Sequence, residues 1–243
     1  MKNHTTSTRV YSILMVAFGL VGAGARADVL DGTISRNVDG DTVWVEQVGR
    51  ADAFGKASVL KIRMIGIDAP ESCFPVEKGC VGQGHFGTDS KKKLAALLPL
   101  ETEVAVDEHG LDKYGRTLGR VLKKGVDINL EMVRLGLAVT YIICEGDRCN
   151  SSFMESNHVE EYVKACQQAR DSGQGQWNAK DPLKELPYEF RLRLSGRKPD
   201  KYVGNIETGE LLKPIDYRKV DVCQRIFFMK KEDGLHAGFN FKN

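Results

Sequence analysis

Hydrophobic and polar positions alternate along three stretches near the start of the chain. "DVLDGTISRNV" and "DTVWVEQV" read as strands joined at Asp39-Gly40, a pair that favours a tight hairpin turn. In "SVLKIRMIGI", Leu60, Ile62 and Met64 fall on one face and Lys61, Arg63 and Ile65 on the other, the period of a pleated strand. "DSKKKLAALL" then predicts a helix with Asp89 or Ser90 as its N-cap. Two further strands, "TEVAVDE" and "TLGRVLKK", bracket the polar loop "HGLDKYGR". "DINLEMVRLGLA" is helical, with Ile128, Met132 and Leu135 on one face. So is "FMESNHVEEYVKACQQARDSG", where Val159, Val163, Cys166 and Ala169 form one stripe.

Five strands and the helices, in the order βββ-α-ββ-αα, predict an α+β fold. The expected form is a small five-stranded closed barrel of the OB type, with about three helices packed outside it. After Trp177 the pattern changes. "NAKDPLKELPYEF" is broken by Pro182 and Pro187, and the remainder reads as a mostly irregular or β extension, including "QRIFFMKK". The expected divisions are a leader over 1–27, a barrel domain over 28–178, and a basic extension over 179–243 packed on the core.

The leader follows from residues 10–25, which are apolar or small, preceded by Lys2 and Arg9 and ended by Ala25-Arg26-Ala27. That is the layout of a secretory signal peptide, with export to the periplasm or the medium and no membrane association after cleavage. Export changes the reading of the six cysteines, because an oxidising compartment favours disulfides. Cys73 and Cys80 form one local pair and Cys144 and Cys149 another, leaving Cys166 and Cys223, although six cysteines allow about 15 connectivities. Charge is divided along the chain. Residues 28–179 carry 23 acidic against 18 basic side chains, and residues 180–243 carry 14 basic against 10 acidic. Overall charge therefore gives no mandate for nucleic-acid binding, and such a function must rest on a site.

Candidate chemistry rests on Asp41 in "DGDT", Arg63, Asp68 and Glu71 in "RMIGIDAPE", and Arg116 in "DKYGR". Singly, each has a plain structural reading: a turn acid, a strand arginine, a strand terminator at Pro70. Together they suggest more. A barrel brings Asp41 and Asp68 to one rim, where two carboxylates and a backbone carbonyl suit a hard cation such as calcium, which takes about 6–8 oxygen ligands. Glu71, held off the metal by Pro70, is placed to act as a general base on water. Two arginines supply planar forks for a phosphate that gains charge in its transition state. Metal, base and guanidiniums at one phosphate make a phosphodiesterase.

"DGDT", "RMIGIDAPE", "DKYGR" and "NLEMVRLGLA" stand in the order and approximate spacing of the staphylococcal nuclease family, which this chain resembles over about residues 28–178. The resemblance implies a secreted, calcium-dependent endonuclease on an OB-fold barrel. It would cleave DNA and RNA with little sequence preference to 3′-phosphate and 5′-hydroxyl ends. Carried over by position, Asp41 and Asp68 are the metal carboxylates and Ala69 offers its backbone carbonyl. Glu71 is the base, and Arg63 and Arg116 bind phosphate. Lys113 and Tyr114 lie beside the nucleotide's other phosphate, Tyr141 is the aromatic at the nucleotide pocket, and Asp39 is a nearby acid that is not a ligand. No protein partner is implied, and the expected state is a monomer. A non-catalytic OB-fold nucleic-acid-binding module is the alternative. The acidic core departs from the basic family members, and Arg191, Arg193, Arg197, Lys198 and Lys201 of the extension are candidates for the missing positive surface.

Overall fold

The computed structural model describes residues 29–51, 55, 57–146 and 158–242. The expected leader and Cys149 lie outside the described residues. Strands β1 (Val29–Asn37), β2 (Thr42–Ala51) and β3 (Ala57–Met64) form an antiparallel meander. Strands β7 (Glu103–Leu111) and β8 (Thr117–Lys123) join it through β1, and β8 returns to pair in parallel with β3. That last pairing closes the order β3-β2-β1-β7-β8 into the five-stranded mixed barrel expected from the sequence.

Alternation sets which side chains fill it. Ile34, Val43, Val45, Ile62, Met64, Val106 and Val121 are buried inside, each stabilising by about 1.5–3 kcal/mol when fully removed from water. Short strand β4 (Gly66–Asp68) leaves the barrel after β3, and the hairpin β5 (Phe74–Val76) and β6 (Gly79–Val81) follows it. Cys73 and Cys80 are disulfide-bonded across that hairpin.

Helix α1 (His85–Leu97) corrects one expectation. It starts earlier than the sequence pattern suggests, and neither Asp89 nor Ser90 caps it, since the N-cap is Gly84. Gly87, inside the helix, serves close packing: a Cβ on it would lie 2.1 Å from the Glu71 carbonyl oxygen. Ser90, fully buried, donates instead to the Leu137 carbonyl at 2.8 Å.

After the two-residue strand β9 (Val126–Asp127), helix α2 (Ile128–Arg134) begins where the Asp127 carboxylate accepts from the Leu130 amide at 3.0 Å. Its Asn129 side chain is buried and bridges the turn after β3 to β8. The amide nitrogen donates to the carbonyls of Ile65 (2.9 Å) and Gly119 (3.1 Å), and the oxygen accepts from the Val121 amide. Helix α3 (His158–Asp171) buries Tyr162, Val163, Cys166 and Ala169.

Residues 180–242 build more structure than an irregular tail. Helix α4 (Pro187–Leu194), strands β11 (Tyr202–Asn205), β12 (Glu210–Leu212), β13 (Arg225–Phe228) and β14 (Asn240–Phe241), and helix α5 (Lys231–His236) are all formed. Strand β10 (Val139–Cys144) pairs antiparallel with β4 on one side and parallel with β13 on the other. One sheet, β14-β12-β11-β13-β10-β4, therefore runs from the C-terminal region to the strand that carries Asp68. A second apolar cluster lies on it, made of Tyr188, Leu192, Val203, Leu212, Tyr217, Val220 and Phe227. Cys166 and Cys223 are disulfide-bonded, tying α3 to this region. Cys144 is also disulfide-bonded.

Candidate active site

Four acids meet at the barrel rim. The turn after β1 delivers Asp39 and Asp41. Its glycine is required by close approach, because a Cβ on Gly40 would lie 2.7 Å from that of Ala69 and closer still to Ser90. Asp41 Oδ1 accepts from the Thr42 hydroxyl at 3.1 Å, and its Oδ2 accepts from the Ala69 amide at 2.9 Å. Asp68, fully buried, ends β4, where it pairs with Val139 of β10. Three residues on, Glu71 is held through its backbone. Its amide donates to Gln83 Oε1 at 3.0 Å, its carbonyl accepts from the Gln83 amide at 2.8 Å, and Gly87 packs beneath it.

Arg63 sits among these acids. Its Nη2 lies 3.1 Å from both Asp41 Oδ2 and Asp68 Oδ1 and donates to the Ile67 carbonyl. Nη1 donates to the Met64 carbonyl at 2.8 Å. The alternation read from the sequence is the cause: Ile62 and Met64 point inward, so Arg63 points out at the strand end where the acids collect.

A second guanidinium in the cluster, Arg191, is expected from the sequence only as part of a basic surface on the extension, not as a partner of the rim acids. Arg191 of α4 donates from Nη1 to Asp68 Oδ1 and to Glu71 Oε1, each at 2.8 Å, and from Nη2 to Asp68 Oδ2 at 2.9 Å. No local signal marks it. It stands in "RLRLSGR", which reads as a basic surface run, and its partners are more than a hundred residues away. Three of the other four candidates are also ion-paired: Arg193 with Glu185, and Arg197 and Lys201 with Asp200. The extension therefore spends most of these charges internally instead of displaying a free basic face.

Burial pushes Asp39 up to about 7, with Asp41 adding to the rise and Arg63 opposing it. Burial also raises Glu71, reinforced by Asp41 and Asp68 and opposed by Arg191. At Asp68 burial pushes the same way, against Arg191 and Arg63.

The remaining predicted residues sit around this cluster. Thr117, just after Arg116, lies opposite Ile62, just before Arg63. In this structure Arg116 Nε donates to Asp112 Oδ2 at 2.7 Å, and its guanidinium lies 5.6 Å from the Tyr114 ring centre. Tyr114 is 72% exposed, with Lys113 over its ring. Tyr141 is packed between Tyr188 of α4 and Phe227 of β13, at centroid distances of 5.5 and 5.1 Å. That burial raises its phenol well above the usual range.

The donor set fits a hard cation. Asp41 Oδ2 and Asp68 Oδ1 come close enough together to share Arg63 Nη2 at 3.1 Å each, and all available ligands are oxygens. Among the described residues, no three His, Cys, Asp or Glu side chains are arranged to hold a metal by themselves. A cation here would draw on the two carboxylates, the carbonyl of Ala69 and water.

Comparison with known proteins agrees with this geometry. The family model described as staphylococcal nuclease homologue matches residues 61–179. Endonuclease YhcR of Bacillus subtilis is 33% identical over 216 residues, covering 86% of this chain but only 16% of that longer protein. The uncharacterized endonuclease of Haemophilus influenzae is 30% identical over 157 residues, covering 65% of this chain and 71% of that protein. Micrococcal nuclease of Shigella flexneri is 30% identical over 200 residues, covering 79% of this chain and 95% of that protein. By fold, motif order and these matches, the chain belongs to the staphylococcal nuclease family.

Proposed function

We propose that this chain is an exported, calcium-dependent, sugar-non-specific endonuclease that hydrolyses DNA and RNA to 3′-phosphate and 5′-hydroxyl ends. The observation that carries the reading is the convergence of Asp41, Asp68 and Glu71 at one barrel rim, the first two on Arg63 and the last two on Arg191. Asp41, Asp68 and the Ala69 carbonyl are the groups that would hold calcium. When bound, the ion supplies Lewis-acid polarisation of a phosphate oxygen.

Glu71 takes the proton from the attacking water. Its burial suits this role, since a base with a raised pKa accepts a proton more readily near neutral pH. The water oxygen bonds to phosphorus, the bond to the 5′-oxygen breaks, and that oxygen leaves with the electron pair and takes a proton from a solvent water to become the hydroxyl. Arg63 and Arg116 bind the phosphate oxygens, each as a planar fork. Arg116 exchanges its bond to Asp112 for the substrate, in a loop where Lys113 and exposed Tyr114 lie beside the adjoining nucleotide. Tyr141 is assigned to the nucleotide pocket. The leader over 1–27 directs the mature monomer to the periplasm or the medium, and residues 28–178 carry the chemistry.

The test is digestion of plasmid DNA and single-stranded RNA with calcium, with chelator, and by Glu71→Gln. Calcium-dependent cleavage abolished by chelator and by the substitution is expected. Cleavage that is indifferent to chelator would overturn the calcium mechanism. Binding without cleavage would support the non-catalytic module.

A further inference from the structure

Helix α4 delivers more than one group to the cluster. Tyr188 lies against Tyr141, and one turn later Arg191 engages Asp68 and Glu71. The entry to α4 is fixed to the same place. Gln83 Nε2 donates to the Glu185 carbonyl at 2.7 Å, while Gln83 Oε1 accepts from the Glu71 amide. On the other side of the helix, Glu189 accepts from the Tyr217 hydroxyl at 2.7 Å and from Arg218. A deliberate anchor thus sets the Arg191 guanidinium on Asp68.

We propose that Arg191 is a built-in competitor for the divalent metal: it neutralises Asp68 in the metal-free enzyme and must withdraw from it when metal binds. This rests on the assignment of Asp41 and Asp68 as the metal carboxylates. Two of Arg191's N–H groups take both Asp68 oxygens at 2.8 and 2.9 Å, and Arg63 shares one of them. No outward-facing oxygen of Asp68 is left without a cationic donor. A divalent ion and a guanidinium cannot both hold that carboxylate without mutual repulsion in a site sheltered from water.

Without Arg191, a fully buried acid would keep Arg63 as its one counter-ion, shared with Asp41. Leaving a buried charge undercompensated is costly. Arg191 therefore holds the metal-free site together and lowers its apparent metal affinity by the fraction of molecules in which it has withdrawn. Residues 180–242 then act as a positioning element of the nuclease site. Arg191 is a positioning residue, because it acts through Asp68 and Glu71.

The test is calcium binding by titration calorimetry on the full mature chain, for wild type, Arg191→Ala, Arg191→Lys and Asp68→Asn, with melting curves for each. Calcium is expected to bind Arg191→Ala at least about tenfold more tightly than wild type. Arg191→Lys, which keeps the charge but loses the fork, should fall between. Calcium-free Arg191→Ala should melt below wild type and recover most of the difference with calcium. If Arg191→Ala is unfolded without calcium, the Arg191→Lys comparison decides. Unchanged or weaker binding in the Arg191 variants, with binding lost in Asp68→Asn, overturns the competition and leaves the metal assignment standing. Wild-type binding by Asp68→Asn overturns both.

Discussion

Two charge clusters among the described residues are each built around aspartates and arginines, to opposite effect. At the rim, Asp39, Asp41, Asp68 and Glu71 face Arg63 and Arg191, and burial raises Asp39 to about 7. On the barrel wall and beside α2, Arg120 lies between Asp107 and Asp127. His109 Nε2 lies 3.2 Å from Asp107, and the Tyr162 hydroxyl donates to Asp127 at 3.0 Å. There Asp107 falls to about 2, because bonds from His109 and Arg120 outweigh its burial. The wall cluster matches each acid with donors. The rim crowds four acids onto two guanidiniums, with Asp41 and Asp68 buried, an arrangement that costs stability and suits a site awaiting another cation.

That contrast predicts different consequences for substitutions in the two places. Glu71→Gln should lower kcat by about 10²–10⁴-fold, the scale of a lost general base, with the melting temperature little lowered. Asp107→Asn should do the reverse. Arg120 would lose its closest partner, at a cost of about 3–5 kcal/mol in denaturant unfolding, while turnover per folded molecule stays near wild type. Equal losses of activity in both would erase the distinction between the clusters.

Gly87→Ala joins the two effects at smaller scale. The added methyl meets the Glu71 backbone, so about 1–3 kcal/mol of stability should be lost, together with activity as the base shifts. The smallest effect is in pH. Asp107 is held at about 2 against an ordinary 3.8, so its stabilisation is complete above pH 4 and disappears as pH falls toward 2. It amounts to about 2 kcal/mol, and Asp107→Asn should flatten that part of the stability–pH curve.

The barrel was legible because alternation is a local signal: Ile62 and Met64 turn inward, and Arg63 must then turn out. The convergence of Asp41, Asp68 and Glu71 was legible for the same reason, since each closes or follows a recognisable strand. What stayed hidden depends on distant packing. Gly87 reads as a helix breaker until the Glu71 backbone is seen beneath it, and Gln83 reads as a loop residue until it bridges Glu71 to Glu185. Arg191 reads as surface charge, and nothing near it in the chain announces Asp68. The parallel pairing of β10 with β13, which brings the C-terminal region onto the site's own sheet, is likewise a non-local event.

The most direct test of the contrast between the clusters is thermal unfolding with and without calcium for wild type, Asp68→Asn and Asp107→Asn. A ligand at 100 times its Kd stabilises the folded state by about 2.7 kcal/mol. The rim is predicted to be the metal site, so saturating calcium should raise the melting temperature of wild type and of Asp107→Asn but leave Asp68→Asn unmoved. An equal rise in Asp68→Asn would contradict that assignment.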